Sequence, residues 1–119
     1  MRDHRNLRAF ELADALVLSV YQETHGFPKD EMYGLTSQMR RAAVSVCANI
    51  VEGCGREGPA EYAHFLNMAL GSLRELGYYI DLARRLGYLS AEKAPPLAAQ
   101  YEEAAKVLSG LNKSLRKGR

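Results

Sequence analysis

At 119 residues the chain has the length of one domain and can close a single hydrophobic core without disulfide or metal staples. Hydrophobic residues make up 47% and charged residues 25%, the balance of a globular protein and not of a disordered or membrane-spanning one. A net charge of +2 and a pI near 8.6 are too mild to argue alone for a polyanionic partner.

The first predicted element is an amphipathic helix from Asn6 to about Thr24. Leu7, Phe10, Ala13, Leu16, Val17, Val20 and Tyr21 recur on one face, with Glu11, Asp14 and Gln22 elsewhere. Gly26-Phe27-Pro28 ends it, and the connection to Gly34 should hold a turn of helix over Asp30 and Glu31. Thr36 is a plausible N-cap for the second helix, which runs to about Cys54, with a start one or two residues earlier also open. Its apolar face holds Leu35, Met39, Ala42, Val46, Ile50 and Gly53. A polar stripe beside that face holds Gln38, Arg41, Ser45, Asn49, Glu52 and Arg56. The remaining side carries Val44, Ala48 and Val51, with Arg40 as its one charge. A helix apolar on most of its circumference is covered on more than one side, which points to a subunit interface.

Gly58-Pro59 opens the third and longest helix, with Pro in the first turn and Glu61 at its positive end. Tyr62, Phe65, Leu66, Ala69, Leu73, Leu76, Ile80 and Ala83 form its core stripe to about Leu86. A second stripe holds His64, Met68, Gly71, Ser72, Glu75, Tyr79 and Leu82, where the small Gly71 and Ser72 would admit a close backbone. Asn67, Arg74, Asp81 and Arg85 share the side expected to face solvent. Gly87 closes this helix and Ser90 is a candidate cap for the fourth, delayed or kinked by Pro95-Pro96. Leu97, Tyr101, Ala104, Leu108, Leu111 and Leu115 then make a heptad seam. There is no β pattern and no internal repeat, so the expected fold is all-α: an up-down-up-down antiparallel four-helix bundle spanning residues 1–119.

Several motif matches fail on chemistry. Gly53-x-Gly55-x-x-Gly58 fits the dinucleotide-binding pattern, yet a helix precedes it where that chemistry needs a strand. Asn112-Lys113-Ser114 fits a glycosylation acceptor in a chain whose opening MRDHRNLRAFE lacks the apolar segment of a signal peptide. A cytoplasmic location is therefore expected, and no run approaches the length of a membrane span. Cys47 and Cys54 would lie about 10 Å apart along one helix, too far to bridge. His4, His25 and His64 have no metal-ligand spacing. No nucleophile and base are paired by spacing, so no catalytic residue, cofactor or metal is expected.

Two groups of residues remain. The polar stripe reads first as a hydrogen-bonded network fixing helix register or subunit contacts, with Glu75 as a possible partner for Arg40 or Arg41. The second group is basic. No acid follows Glu103, while Lys106, Lys113, Arg116, Lys117 and Arg119 do, and Arg2, Arg5 and Arg8 form a second cluster partly offset by Asp3 and Glu11. Arg74 and Arg85 on the third helix could add to them. Cations at a helix C-terminus also suit the helix dipole, so solvated ends compete with polyanion binding.

Phe27-Pro28, Glu31, Tyr33-Gly34-Leu35, Gln38, Arg40-Arg41-Ala42, Ser45, Asn49-Ile50, Glu52-Gly53 and Arg56 carry a resemblance. Phe65-Leu66, Ala69, Gly71-Ser72 and Glu75 extend it over nearly the whole chain. The sequence resembles bacterial four-helix-bundle proteins of the 23S rRNA intervening-sequence type, a group that includes the accessory variability protein of diversity-generating retroelements. Cys47 and Val51 depart from a pattern that often has Pro and Ala there. The resemblance implies assembly into a homopentameric ring. For the retroelement relative it also implies a basic surface for nucleic acid and for a reverse transcriptase. The expected function is a non-catalytic, homo-oligomeric accessory protein binding RNA or DNA non-specifically. The alternative is a scaffold for a protein partner with no direct nucleic-acid contact.

Overall fold

The computed structural model describes residues 2–117, and all regular structure among them is helical. Helix α1 is Arg8–Thr24, α2 is Leu35–Cys54, α3 is Pro59–Arg85 and α4 is Ala94–Lys117. A 3-10 turn at His4–Asn6 leads into α1, and another at Lys29–Glu31 leads into α2. Consecutive helices touch, and α1 closes the circuit against α4. Contacts between ends fix the directions. The amide of Arg2 bonds the carbonyl of Cys54, Gly53 lies against Tyr62 and Phe65, and Asn112 of α4 reaches Leu66 near the start of α3. The four helices therefore run up, down, up and down in a body of 44 × 23 × 20 Å.

One apolar core threads all four helices. Leu16 and Val20 from α1, Met39, Val46 and Ile50 from α2, Leu66, Leu73 and Leu76 from α3, and Leu97 and Leu108 from α4 are fully buried. Burying each of these large side chains contributes about 1.5–3 kcal/mol. The α1 stripe is turned slightly from its expected position. Ala9, Ala13, Leu16, Val20 and Thr24 form the inward line, Leu7, Phe10 and Val17 pack at its margin, and Tyr21 is exposed.

Local chemistry sets the boundaries. Pro59 stands in the first turn of α3, where its missing N–H has no partner to lose. Gly87 takes a φ of +80° after α3, the one positive φ among the described residues. Pro95 and Pro96 do not delay α4; they lie inside its first turn, which tolerates proline for the same reason. Ser90 supports that start by accepting from the amide of Lys93 through its hydroxyl at 3.1 Å and from Ala94 through its carbonyl at 2.9 Å. Thr36 is not the cap of α2. Its hydroxyl is buried without a partner, and α2 begins one residue earlier, where the Glu31 carboxylate accepts from the amide of Leu35 at 3.0 Å. The other Glu31 oxygen accepts from the Tyr88 hydroxyl at 2.9 Å, tying the start of α2 to the loop between α3 and α4. These two bonds hold the Glu31 carboxyl below the usual carboxylate range, the backbone bond contributing most.

Candidate functional site

Alternating three- and four-residue steps bring Gln38, Arg41, Ser45, Asn49, Glu52 and Arg56 to the flank of α2 that borders α3. The structure divides this stripe into three parts. In the middle, the Ser45 and Ser72 hydroxyls bond each other across the two helices at 2.9 Å. Asn49 donates to the Ser45 carbonyl at 2.9 Å and to its hydroxyl oxygen at 3.1 Å. The small side chains here let α2 and α3 approach closely while keeping their polar atoms satisfied.

Toward the C-terminal end of α2, Glu52 and Arg56 pair on the surface at 2.6 Å, and Arg56 also reaches Glu61 at 3.7 Å. The Arg56 guanidinium lies over the Phe65 ring. Glu52 is therefore not the counterion of a buried arginine, because its partner sits one turn away on the same exposed strip.

Toward the N-terminal end the helices part over a groove of about 350 Å³ lined by Gln38, Arg41, Ala42, Ser45, Ser72 and Glu75. Arg41 is exposed and makes no ion pair among the described residues. Glu75 is paired with neither arginine proposed from the sequence. It accepts from the Tyr79 hydroxyl at 2.9 Å, and that bond raises the Tyr79 pKa above the ordinary phenol. Arg40 points the other way, to α1: its Nε donates to the Thr24 hydroxyl at 2.9 Å, and its guanidinium stacks on Tyr21. It thereby serves the carbonyl end of α1. Gly71 lies on the outer side of α3 with open space where a Cβ would stand.

The basic candidates also separate. Arg2 is built into the turn after α2. Its guanidinium bonds the Arg56 carbonyl at 3.2 Å and lies 3.8 Å from the centre of the Tyr62 ring, and the residue is half-buried. Arg5 is paired with Asp3 at 3.0 Å, Arg8 with Glu103 at 2.8 Å and Arg85 with Asp81 at 2.9 Å. Arg74, Lys113, Arg116 and Lys117 are exposed and make no ion pair among the described residues. Arg119 lies outside the described residues. Asn112 beside Leu66 sets the last turns of α4 against the start of α3, whereas Arg8 meets α4 at Glu103, about 15 Å before Lys113 along that helix.

Sequence reasoning missed Asn112. It is buried, and its amide donates to the Leu66 carbonyl at 3.1 Å and to Asn67 at 3.0 Å, which removes it from any glycosylation role. Its position four residues after Leu108 was the available signal. The thiols are withdrawn as well. Burial, with the Asp14 carboxylate adding to it, pushes Cys47 up to about 12, and burial raises Cys54. Both cysteines are free. No group of His, Cys, Asp and Glu among the described residues is arranged to hold a metal ion, and no helix among them is long and apolar enough to cross a membrane.

The profile of the family described as 23S rRNA-intervening sequence protein matches residues 5–110, which include α1, α2, α3, α4 as far as Gly110 and every groove residue. The chain belongs to the 23S rRNA-intervening sequence protein family. Its fold is similar to a crystal structure of a protein of unknown function from the S23 ribosomal protein family of Bacteroides thetaiotaomicron. That match has 21% identity and a TM-score of 0.78, and it covers 88% of this chain and 98% of the other. No curated protein matches the chain. Within this family member, Lys113, Arg116 and Lys117 lie past the matched segment, so the tail cations belong to this chain and not to the part shared with the family profile.

Proposed function

We propose that this member of the 23S rRNA-intervening sequence protein family is a non-catalytic, cytoplasmic accessory protein that self-assembles, as a pentameric ring, and binds RNA or DNA through phosphates at its basic end. The observation that carries the nucleic-acid half is the exposure of Lys113, Arg116 and Lys117 on the last turns of α4, without an ion pair among the described residues and with no acidic side chain after Glu103. Assembly multiplies each weak tail into a multivalent surface. Its support is apolar exposure on the outer sides of the central helices, with Val44 at 42%, Val51 at 41% and Met68 at 45% accessible. The ring number comes from the family resemblance.

A gel-shift titration at low salt tests the reading on an unstructured RNA and a duplex DNA. Both should bind with little sequence preference, and affinity should fall steeply with salt. Replacing Lys113, Arg116 and Lys117 by Ala should weaken both complexes and lower the salt slope by about 3 if each residue neutralises one phosphate. No complex at tens of micromolar protein would overturn the nucleic-acid half.

A second reading, a scaffold for a protein partner such as a reverse transcriptase, is favoured by the loop before α2. Tyr33 is 94% accessible there and Met32 beside it is 55% accessible, and such side chains suit a protein contact better than a phosphate.

A further inference from the structure

The groove between α2 and α3 carries both signs of charge, and neither Arg41 nor Glu75 makes an ion pair among the described residues. Its floor is already satisfied, because Ser45, Ser72 and Asn49 bond one another. What remains for an occupant is the guanidinium of Arg41, the amide of Gln38 and the carboxylate of Glu75. The two charged groups stand on opposite helices, exposed and unpaired with each other, and Tyr79 holds the Glu75 carboxylate in place from one turn further along α3.

The surroundings select the occupant. Val44 and Ala48 on α2 and Met68 on α3 lie exposed beside the groove, and Gly71 leaves the backbone of α3 open to close approach one turn from Glu75. A face with one cation, one anion and apolar flanks is complementary in charge to a second copy of itself. A polyanion would meet Glu75, and a polycation would meet Arg41. We propose that Arg41 and Glu75 meet across the boundary between two copies of this chain, so that the groove sets the register of self-assembly. The inference rests on the assembly half of the proposed function and assigns that assembly a specific polar contact.

The test is a charge exchange read by light scattering across a dilution series. Arg41→Glu and Glu75→Arg should each raise the concentration at which the assembly dissociates by about tenfold or more, as expected when one side of an interfacial pair is reversed. The double variant should restore assembly toward the wild type, because each head-to-tail boundary regains one pair and each two-fold boundary regains two. Gly71→Leu should also weaken assembly while keeping the helical circular dichroism signal of the dilute protein. Single variants that assemble like the wild type would overturn the contact and leave the assembly reading standing. So would loss of assembly that the double exchange does not recover. A wild-type protein that is monomeric at tens of micromolar would overturn both.

Discussion

The groove between α2 and α3 and the basic end of the bundle are both rich in polar residues, but they are built differently. At the groove, the Ser45, Asn49 and Ser72 side chains are satisfied against one another, and Arg41 and Glu75, of opposite charge, line it without an ion pair among the described residues. The arginines near the start of the chain are engaged by Asp3, Glu103 and the Arg56 carbonyl, while Lys113, Arg116 and Lys117 on the last α4 turns make no ion pair among the described residues. A balanced, partly satisfied surface suits a defined partner of the same make. An unbalanced one suits a diffuse polyanion. The same side-chain types therefore support two separate roles, distinguished by what remains unpaired.

The largest expected effect comes from breaking the close packing of α2 on α3 at the end opposite the groove. Gly53 lets α2 lie against the start of α3, and a Cβ there would stand 2.9 Å from the Phe65 Cβ and 3.4 Å from the Tyr62 carbonyl. Gly53→Val should destabilise the fold by about 1–3 kcal/mol, read by urea denaturation, and weaken assembly with it. An unchanged midpoint would mean that the two helices can part without loss.

Glu31→Gln should act more gently, at the far end of the groove. The Glu31 carboxyl is held below its ordinary range, so its stabilisation is present above the unfolded value and is lost as pH falls through the folded one. The wild type should therefore exceed Glu31→Gln in stability at neutral pH, and the gap should close below about pH 4. Denaturation at several pH values checks this. A gap that does not depend on pH would assign the effect to packing.

Glu52→Ala should have the smallest effect and sharpens the boundary between the two regions. Exposed pairs of this kind are worth about 0.2–1 kcal/mol, below the roughly 1–3 kcal/mol expected if Glu52 neutralised a buried arginine. Arg56 would keep Glu61 at 3.7 Å, so polyanion binding in the gel shift should change little. A loss of more than about 2 kcal/mol would show that the stripe is a single buried network.

Much of this was legible in the sequence because helical periodicity and Pro/Gly punctuation are local signals. The core stripe of α3 except Phe65, which is half-buried outside the core, the proline start of that helix and the turn over Asp30 and Glu31 follow from spacing. What spacing cannot give is which polar neighbour wins. Thr36 has the right chemistry to cap α2, yet the Glu31 carboxylate reaches the first free amide before it does. The polar stripe is one line on a helical wheel, but α3 covers its middle and leaves its ends in water, so Ser45 and Glu52 serve unlike purposes. Asn112 sits on an apolar stripe, and its burial depends on carbonyls of α3 that no local pattern encodes. The charges of the basic end were countable, but their pairing was not, since Arg8 finds Glu103 only once α1 and α4 are side by side.

The division of roles is tested most directly by sedimenting the Lys113→Ala/Arg116→Ala/Lys117→Ala variant with a fluorescent RNA and reading protein mass and RNA migration together. The account predicts wild-type assembled mass with the RNA left behind as free species. A variant that falls to monomers, or that carries the RNA as the wild type does, would contradict it.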